Sequence, residues 1–364
     1  MLKNALKILN KIEENGFKAY IVGGFVRDYV LGINSKDVDI ATSATPKDIM
    51  EIFKNSVLPK VEYGSVTLYI KDERYEITTF RKEIRYINNR KPIEIEYIDD
   101  LLEDLKRRDF KMNTLCMDKA GKIIDLFDGK KDIENKVINT VEDSDYKFSQ
   151  DSLRILRAIR FATILNFKLS DEVKNAIINN KYLLKNLSYN RKKQELDKIF
   201  SSNNSKYGVE LLLELELDKE LEIYNLDKIN LSNDIIGIWA SLDISEGYKH
   251  EFSSSEKEII KYVKIVLETG ITNYSLYKYG LYTNQIVANM NHIDKSKIVG
   301  LYESLPIKSR KELDITANDI ERILNKKKGP FLRDIFDNIE KEVINRKLEN
   351  KKEVIEEYIL NNYS

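Results

Sequence analysis

The hydrophobic period of this chain changes once, at about residue 145, and that change limits the folds open to it. Before it, apolar residues form short alternating or continuous runs at 19–22, 38–41, 66–70, 75–80 and 93–97, which have the lengths and periods of strands. Between the second and third runs, Thr45 followed by Pro46, with Asp48 in the first turn, marks a helix start. Lys119, Ala120 and Gly121, set between the apolar segments 115–117 and 123–126, predict a hairpin. After residue 145 the apolar spacing becomes three and four, with few Gly or Pro, and helix should follow helix. Ser149 is expected to cap a helix carrying Leu153, Leu156, Ile159, Phe161 and Ile164. Gly329 and Pro330 punctuate two late helices, the second burying Leu332, Ile335, Phe336, Ile339 and Val343 on one side. The expected architecture is α+β: an α/β head followed by an extended helical body, without internal repeats or low-complexity linkers.

With 364 residues the chain is too long for one ordinary core, so two to four packed units are expected. Its 60 Lys+Arg and 60 Asp+Glu cancel, so an anionic partner must be held by local basic patches rather than by the field of the whole molecule. Cys116 is the single cysteine, so no internal disulfide can form, and His250 and His292 are too few for a zinc site. A reducing cytoplasm fits this usage. The first 15 residues mix Lys and Glu with apolar residues, which reads as a short amphipathic helix rather than a signal peptide. No apolar run is long enough to cross a membrane.

The chemistry concentrates in the head. Asp37 and Asp39 flank Val38 at the start of a strand, so their side chains share a face while Val38 and Ile40 point into a core. Two carboxylates on one face can share divalent ions, and hard oxygen ligands at that spacing suit Mg2+ and in-line nucleotidyl transfer. Upstream, residues 19–28 read as strand, tight Gly23-Gly24 turn and helix, placing free backbone N–H groups and Arg27 where a triphosphate could sit. Glu76, on a later strand, offers a third carboxylate. Taken singly, each feature has an ordinary reading: a turn, a solvated carboxylate, or, for Glu76, an exposed strand residue paired to a lysine.

Their order and spacing resemble the nucleotidyltransferase superfamily, whose head is polymerase β-like. The set Gly23-Gly24-Phe25-Val26-Arg27-Asp28, Asp37-Val38-Asp39, the Glu76 strand through Arg81, Arg107-Arg108-Asp109, Asp125 through Gly129 with Asp132, and 148–161 is similar to the class II tRNA nucleotidyltransferases. That family comprises CCA-adding enzymes and bacterial poly(A) polymerases. The likeness returns at Gly329-Pro330 and at Leu348-Glu349-Asn350-Lys351, and is loose between about 200 and 310. It implies a catalytic head over 1–140, a base-reading neck over 141–200, a body over 201–270 and a tRNA-binding tail over 271–364. It implies metal on Asp37 and Asp39, catalysis by these with Glu76, and nucleotide binding by Gly24, Arg27, Arg108, Arg157 and Arg160. Asp109 and Asn113 match positions tied to the ribose and the site wall. The implied substrates are tRNA, CTP and ATP.

The neck residues implied to read the base are Asp151 and Arg154, expected to share a helix face at a spacing of three. A guanidinium donates to O2 and N3 of cytosine while a carboxylate accepts from its N4 amino group, and adenine offers a similar pair. Uracil and guanine oppose both groups in polarity, each bidentate contact being worth about 1 to 3 kcal/mol of discrimination. The ordinary reading is a surface ion pair. Arg157 and Arg160 extend the stripe, which repels itself unless an anion sits on it, as a triphosphate would. Arg81, Lys82, Arg85, Arg90 and Lys91 match a flexible loop associated with the switch from C to A addition, or else form a solvated hairpin. Lys326, Lys327 and Lys328 either hold tRNA phosphates or end a helix. Cys116 reads as a buried strand residue. The chain departs from the family pattern at Gln150, usually Glu; at Lys111, commonly Thr; and at Asn190, usually Glu. The nearest rival readings are a poly(A) polymerase or a partial CC- or A-adding enzyme, and beyond the family an RNA-binding protein with an inactive head.

Overall fold

The computed structural model describes residues 1–35, 37–54, 57–62, 64–70, 73–87 and 91–363; of these, 57–62, 83, 85–87 and 91–94 are described by backbone alone. The chain forms two compact units, Met1–Ile223 and Tyr224–Ser364.

The first unit is built on a seven-stranded sheet. Its strands are β1 (Ala19–Val22), β2 (Val38–Thr42), β3 (Val57–Glu62), β4 (Ser65–Ile70) and β5 (Glu73–Thr79), with β6 (Arg81–Ile87) and β7 (Lys91–Tyr97) forming a separate hairpin. Two short strands, β8 (Cys116–Met117) and β9 (Ile123–Ile124), complete the sheet, whose order is β3-β4-β5-β2-β1-β8-β9. The predicted hairpin around Gly121 is present, with strands shorter than expected. β2 and β5 run parallel and every other pair in this sheet is antiparallel. The parallel pair sets Asp39 beside Glu76. Val38 and Ile40 are buried on β2 while Asp39 faces out, as strand alternation requires.

Helix α1 (Leu2–Glu14) buries Ala5, Ile8, Leu9 and Ile12, the amphipathic stripe expected of the amino-terminal segment. α2 (Gly24–Val30) follows the Gly-Gly turn, and α3 (Pro46–Ile52) starts at Thr45 with a full capping box to Asp48. α4 (Leu101–Lys106) leads into the 107–113 turn, and α5 (Gly129–Asn135) is capped by Asp125, which accepts from the N–H groups of Gly129 and Lys130 at 2.9 Å each. A Cβ on Gly129 would lie 2.4 Å from the Lys111 carbonyl oxygen, so only glycine lets α5 press on that turn.

The helical run then begins with α6 (Ser144–Gln150) and α7 (Leu153–Leu165). Here the expectation for Ser149 fails. Ser149 lies in the last turn of α6 and donates back to the Tyr146 carbonyl, while the chain breaks at Asp151, which is extended. A hydroxyl two residues inside a helix bonds its own preceding turn and cannot cap the next one. Strands also do not end at 140: Lys168–Leu169 pairs in parallel with Val137–Ile138. α8 (Asp171–Asn180), α9 (Tyr189–Phe200), α10 (Ser205–Glu214) and α11 (Leu217–Leu221) finish the unit.

The second unit is all helical among its described residues. One apolar cluster gathers Leu276, Ile298, Ile320, Ile339, Val343 and Ile355, and another gathers Val263, Val266, Ile286 and Val287. The helix Asn273–Met290 kinks at Gly280, whose φ is +80°. There the buried Asn284 amide donates to the carbonyls of Ser275 and Gly280 at 3.0 and 2.8 Å, so the carbonyls around the kink keep a partner. Gly329 and Pro330 precede the helix Phe331–Ile344 as expected, and Ile335, Ile339 and Val343 are buried while Leu332 and Phe336 are partly so. Asn350 bonds the Asp314 N–H and the Glu312 carbonyl, each at 2.9 Å, which gives the Leu348–Lys351 motif a structural task. No helix among the described residues is long and apolar enough to cross a membrane.

Candidate active site

The Gly23 turn joins the two halves of the site. Gly23 has φ +75°, which lets β1 turn into α2, and a Cβ there would sit 3.3 Å from Nη1 of Arg108 and 3.8 Å from Oδ2 of Asp39. The glycine thus allows a backbone, a guanidinium and a carboxylate to meet. Asp37 and Asp39 are both exposed. Burial of its surroundings pushes the Asp39 carboxyl up; Arg108 opposes this, and Glu76 and Asp37 add to the rise. Crowded like charges of this kind are relieved by a cation, and two carboxylates completed by substrate oxygens make a donor set that a hard divalent ion accepts. Among the described residues no group of three or more metal-ligating side chains is assembled. Glu76 is held at 3.2 Å by Arg74 rather than by a lysine.

Behind the turn lies a connected polar chain. Arg27 is buried and donates to Asp28 from Nε and Nη2 and to the Asn113 side-chain oxygen from Nη1 at 2.8 Å. Asn113 donates to Asp109 at 3.1 Å, and Asp109 accepts from Arg157 Nε at 2.7 Å. Burial alone would raise the Asp109 carboxyl, but Arg157, Asn113 and Arg154 outweigh it and hold it well below the usual carboxylate range. Arg160 pairs with Glu195 at 3.0 Å. The anions that let this arginine stripe exist are therefore Asp109 and Glu195, supplied by the protein, where the sequence suggested a ligand. The Phe161 ring completes the arrangement, with Arg27, Arg157 and Arg160 at 5.0, 5.4 and 4.4 Å from its centroid.

Asp151 and Arg154 do not share a helix face. Asp151 sits at the break and its Oδ1 accepts from the Leu153 N–H at 3.0 Å, capping α7. Arg154 lies in the first turn of α7, buried, and donates to the carbonyls of Lys147 and Arg107 and to Gln150 at 3.1 to 3.3 Å. Gln150 thus orients Arg154 without a charge. Gly24 opens α2, and a Cβ there would meet only Arg27, at 3.7 Å.

Asp104 had no part in the sequence reading. Fully buried, it accepts from Arg107 Nε at 2.9 Å and from the Arg81 N–H at 3.1 Å, and lies 3.6 Å from Arg108. Its signal was present as an acid on α4 three and four residues before two arginines that follow that helix. Lys147, also unassigned, is buried, donates to the Lys106 carbonyl and pairs with Glu142 at 2.9 Å. Arg81 and Lys82 begin the β6–β7 hairpin; Arg85 and Lys91 are seen there by backbone alone, and Arg90 lies outside the described residues. Cys116 is buried, donates to the Thr114 carbonyl, and burial pushes its thiol up to about 12, so it is no nucleophile.

Three family models match the chain: a poly A polymerase head domain over residues 19–139, an RNA and SrmB-binding site of polymerase A over 166–222, and a tRNA nucleotidyltransferase domain 2 over 247–359. A CCA-adding enzyme of Ligilactobacillus salivarius is 37% identical, the match covering 97% of this chain and 95% of the relative. One from Anoxybacillus flavithermus is 35% identical, over 99% of this chain and 97% of the relative. Among solved structures, the Bacillus stearothermophilus CCA-adding enzyme in complex with CTP superposes with a TM-score of 0.87 at 29% identity, covering 99% of this chain and 96% of that one.

Proposed function

The chain belongs to the CCA-adding enzyme family, and from that premise we propose that it adds C, C and A to the 3′ end of tRNA from CTP and ATP, releasing pyrophosphate. The observation that carries this reading is the convergence at one turn of Asp39, Arg108 and the polar chain from Arg27 to Arg157, in a protein alike from end to end to such enzymes.

Asp37 and Asp39 are the residues to hold the divalent metal, with Mg2+ as the ion; when bound, it would lower the pKa of the tRNA 3′-hydroxyl and stabilise the leaving pyrophosphate. Glu76, beside Asp39 in register, adds negative charge to that face. Arg108, whose Nε is buried without a partner, and the N–H groups at the start of α2 face the same turn and would take phosphate charge. Arg154 commits three of its five N–H donors to protein acceptors, so its Nε–H and one Nη2–H remain for a base. Two donors match O2 and N3 of cytosine, and Asp151 supplies the acceptor for the amino group. In the same reading residues 1–140 are the head, 141–200 the neck, 201–270 the body and 271–364 the tRNA-binding tail, and the protein works in the cytoplasm.

Incubating tRNA that lacks its terminal CCA with each NTP separately tests this. CTP alone should extend it by two residues, ATP should then add one, and UTP and GTP should add none. Incorporation of UTP as readily as CTP would remove Arg154 and Asp151 from base selection. Two of the matched models are named for polymerase A, which favours poly(A) synthesis as the second reading. That enzyme would ignore CTP and run on past a single A.

A further inference from the structure

We propose that Phe161 is a positioning residue of the nucleotide site, holding three arginines over one aromatic ring. Its centroid lies 5.0 Å from the guanidinium carbon of Arg27, 5.4 Å from that of Arg157 and 4.4 Å from that of Arg160, all within cation–π range. Phe110 meets the ring edge-on at 5.7 Å and fixes its plane. Phe161 itself is only 9% exposed, and Arg27 and Arg160 beside it are buried, so these two meet the ring with little water to screen them while Arg157 is partly exposed.

The ring closes a circuit. Arg27 bonds Asn113, Asn113 bonds Asp109, and Asp109 bonds Arg157, so the two ends of this polar chain both return to Phe161. Each arginine also has one carboxylate, Asp28, Asp109 or Glu195. Those carboxylates, two of them buried, cancel net charge, but each is paired with one arginine and none of them gathers the three cations together. A π-face attracts all three without bringing another charge, which keeps the cluster compact while its balance remains near neutral. An aliphatic side chain of equal volume would fill the space and supply none of that attraction. Arg154 and Asp151 act on the charges of this circuit but supply none of the hydrogen bonds that link it, so the ring supports nucleotide binding and not the choice of base.

The proposal rests on the CCA-adding reading above, and its test is a series of fluorinated phenylalanines at position 161, which drains the π-face while nearly preserving size. Across that series the KM for CTP and the KM for ATP should rise in parallel, about tenfold from phenylalanine to the most fluorinated ring, with kcat within about twofold and the preference for CTP over UTP unchanged. Phe161→Leu should match the most fluorinated ring, and Phe161→Trp, which keeps a π-face, should bind CTP more tightly than Phe161→Leu. A KM that stays flat along the series, a fall in kcat at constant KM, or loss of the CTP preference would overturn it. Calorimetric CTP binding by the same proteins gives the ring a readout independent of turnover. If CTP bound with the expected trend while the unsubstituted protein extended no tRNA, the functional reading would fail and the role of Phe161 would stand.

Discussion

The unit Met1–Ile223 and the unit Tyr224–Ser364 bury different kinds of side chain, and the difference locates the chemistry. The first encloses Arg27, Asp104, Asp109, Lys147, Arg154, Arg160, Lys192 and Glu195; the second, among its described residues, encloses Glu340 as its one buried ionisable carboxylate, clasped by Arg310. Removing charges from water is costly, and a fold that places so many in one region is arranged for something other than stability. The second unit does what apolar clusters and helix caps do: Ser253, Thr272 and Thr316 each close a capping box over Val263, Leu276 and Ile320. One unit is organised around ion pairs and the other around packing.

The sharpest way to break this contrast is at the exposed carboxylates. Asp39→Ala should lower CTP incorporation by on the order of a thousandfold while thermal unfolding stays near that of the parent, because Asp39 lies on the exposed face of its strand. Retained turnover would remove the metal assignment. Next in size is Asp109→Ala, which strands Arg157 without its carboxylate and should cost about 3 to 5 kcal/mol by denaturant titration. Ile339→Ala, fully buried in the second unit, should cost about 2 to 5 kcal/mol and leave the ratio of CTP to UTP incorporation untouched. A changed ratio would show that packing there governs the site. Asn284→Ala should cost about 1 to 3 kcal/mol, since the carbonyls at the Gly280 kink would lose their donor.

The smallest effect is a pH dependence. The folded Asp109 carboxyl is held below its unfolded value, so its contribution is complete above about pH 4 and declines as the pH falls below that. The parent should therefore lose stability faster than Asp109→Asn between neutral pH and pH 3. Equal slopes would mean that Arg157 does not hold Asp109 in solution.

Much of the head was readable because its signals are local. Val38 and Ile40 buried with Asp39 outward follow from strand alternation, and the Thr45–Pro46–Asp48 start follows from capping chemistry within four residues. The Ser149 assignment failed on a local ambiguity: two helices with only Asp151 and Ser152 between them have nearly the same apolar spacing as one longer helix, and the sequence offers a serine at 149 and another at 152. The Asp151–Arg154 face was inherited from that error. The arginine stripe was found, but its anions were not, because Asp109 lies 48 residues from Arg157 and Glu195 lies 35 from Arg160.

The order of residues by itself determined which segments alternate, which coil, where chains turn at glycine, and which charged side chains exist to be used. Those follow from φ/ψ sterics and from periodicity, which act between near neighbours. Only the tertiary structure decided which carboxylate neutralises which guanidinium, that Arg154 leans on the carbonyl of Arg107 across 47 residues, and that Arg27 reaches Asn113 across 86. Buried polar groups must find partners wherever the fold brings them, and a partner brought by folding has no spacing to read.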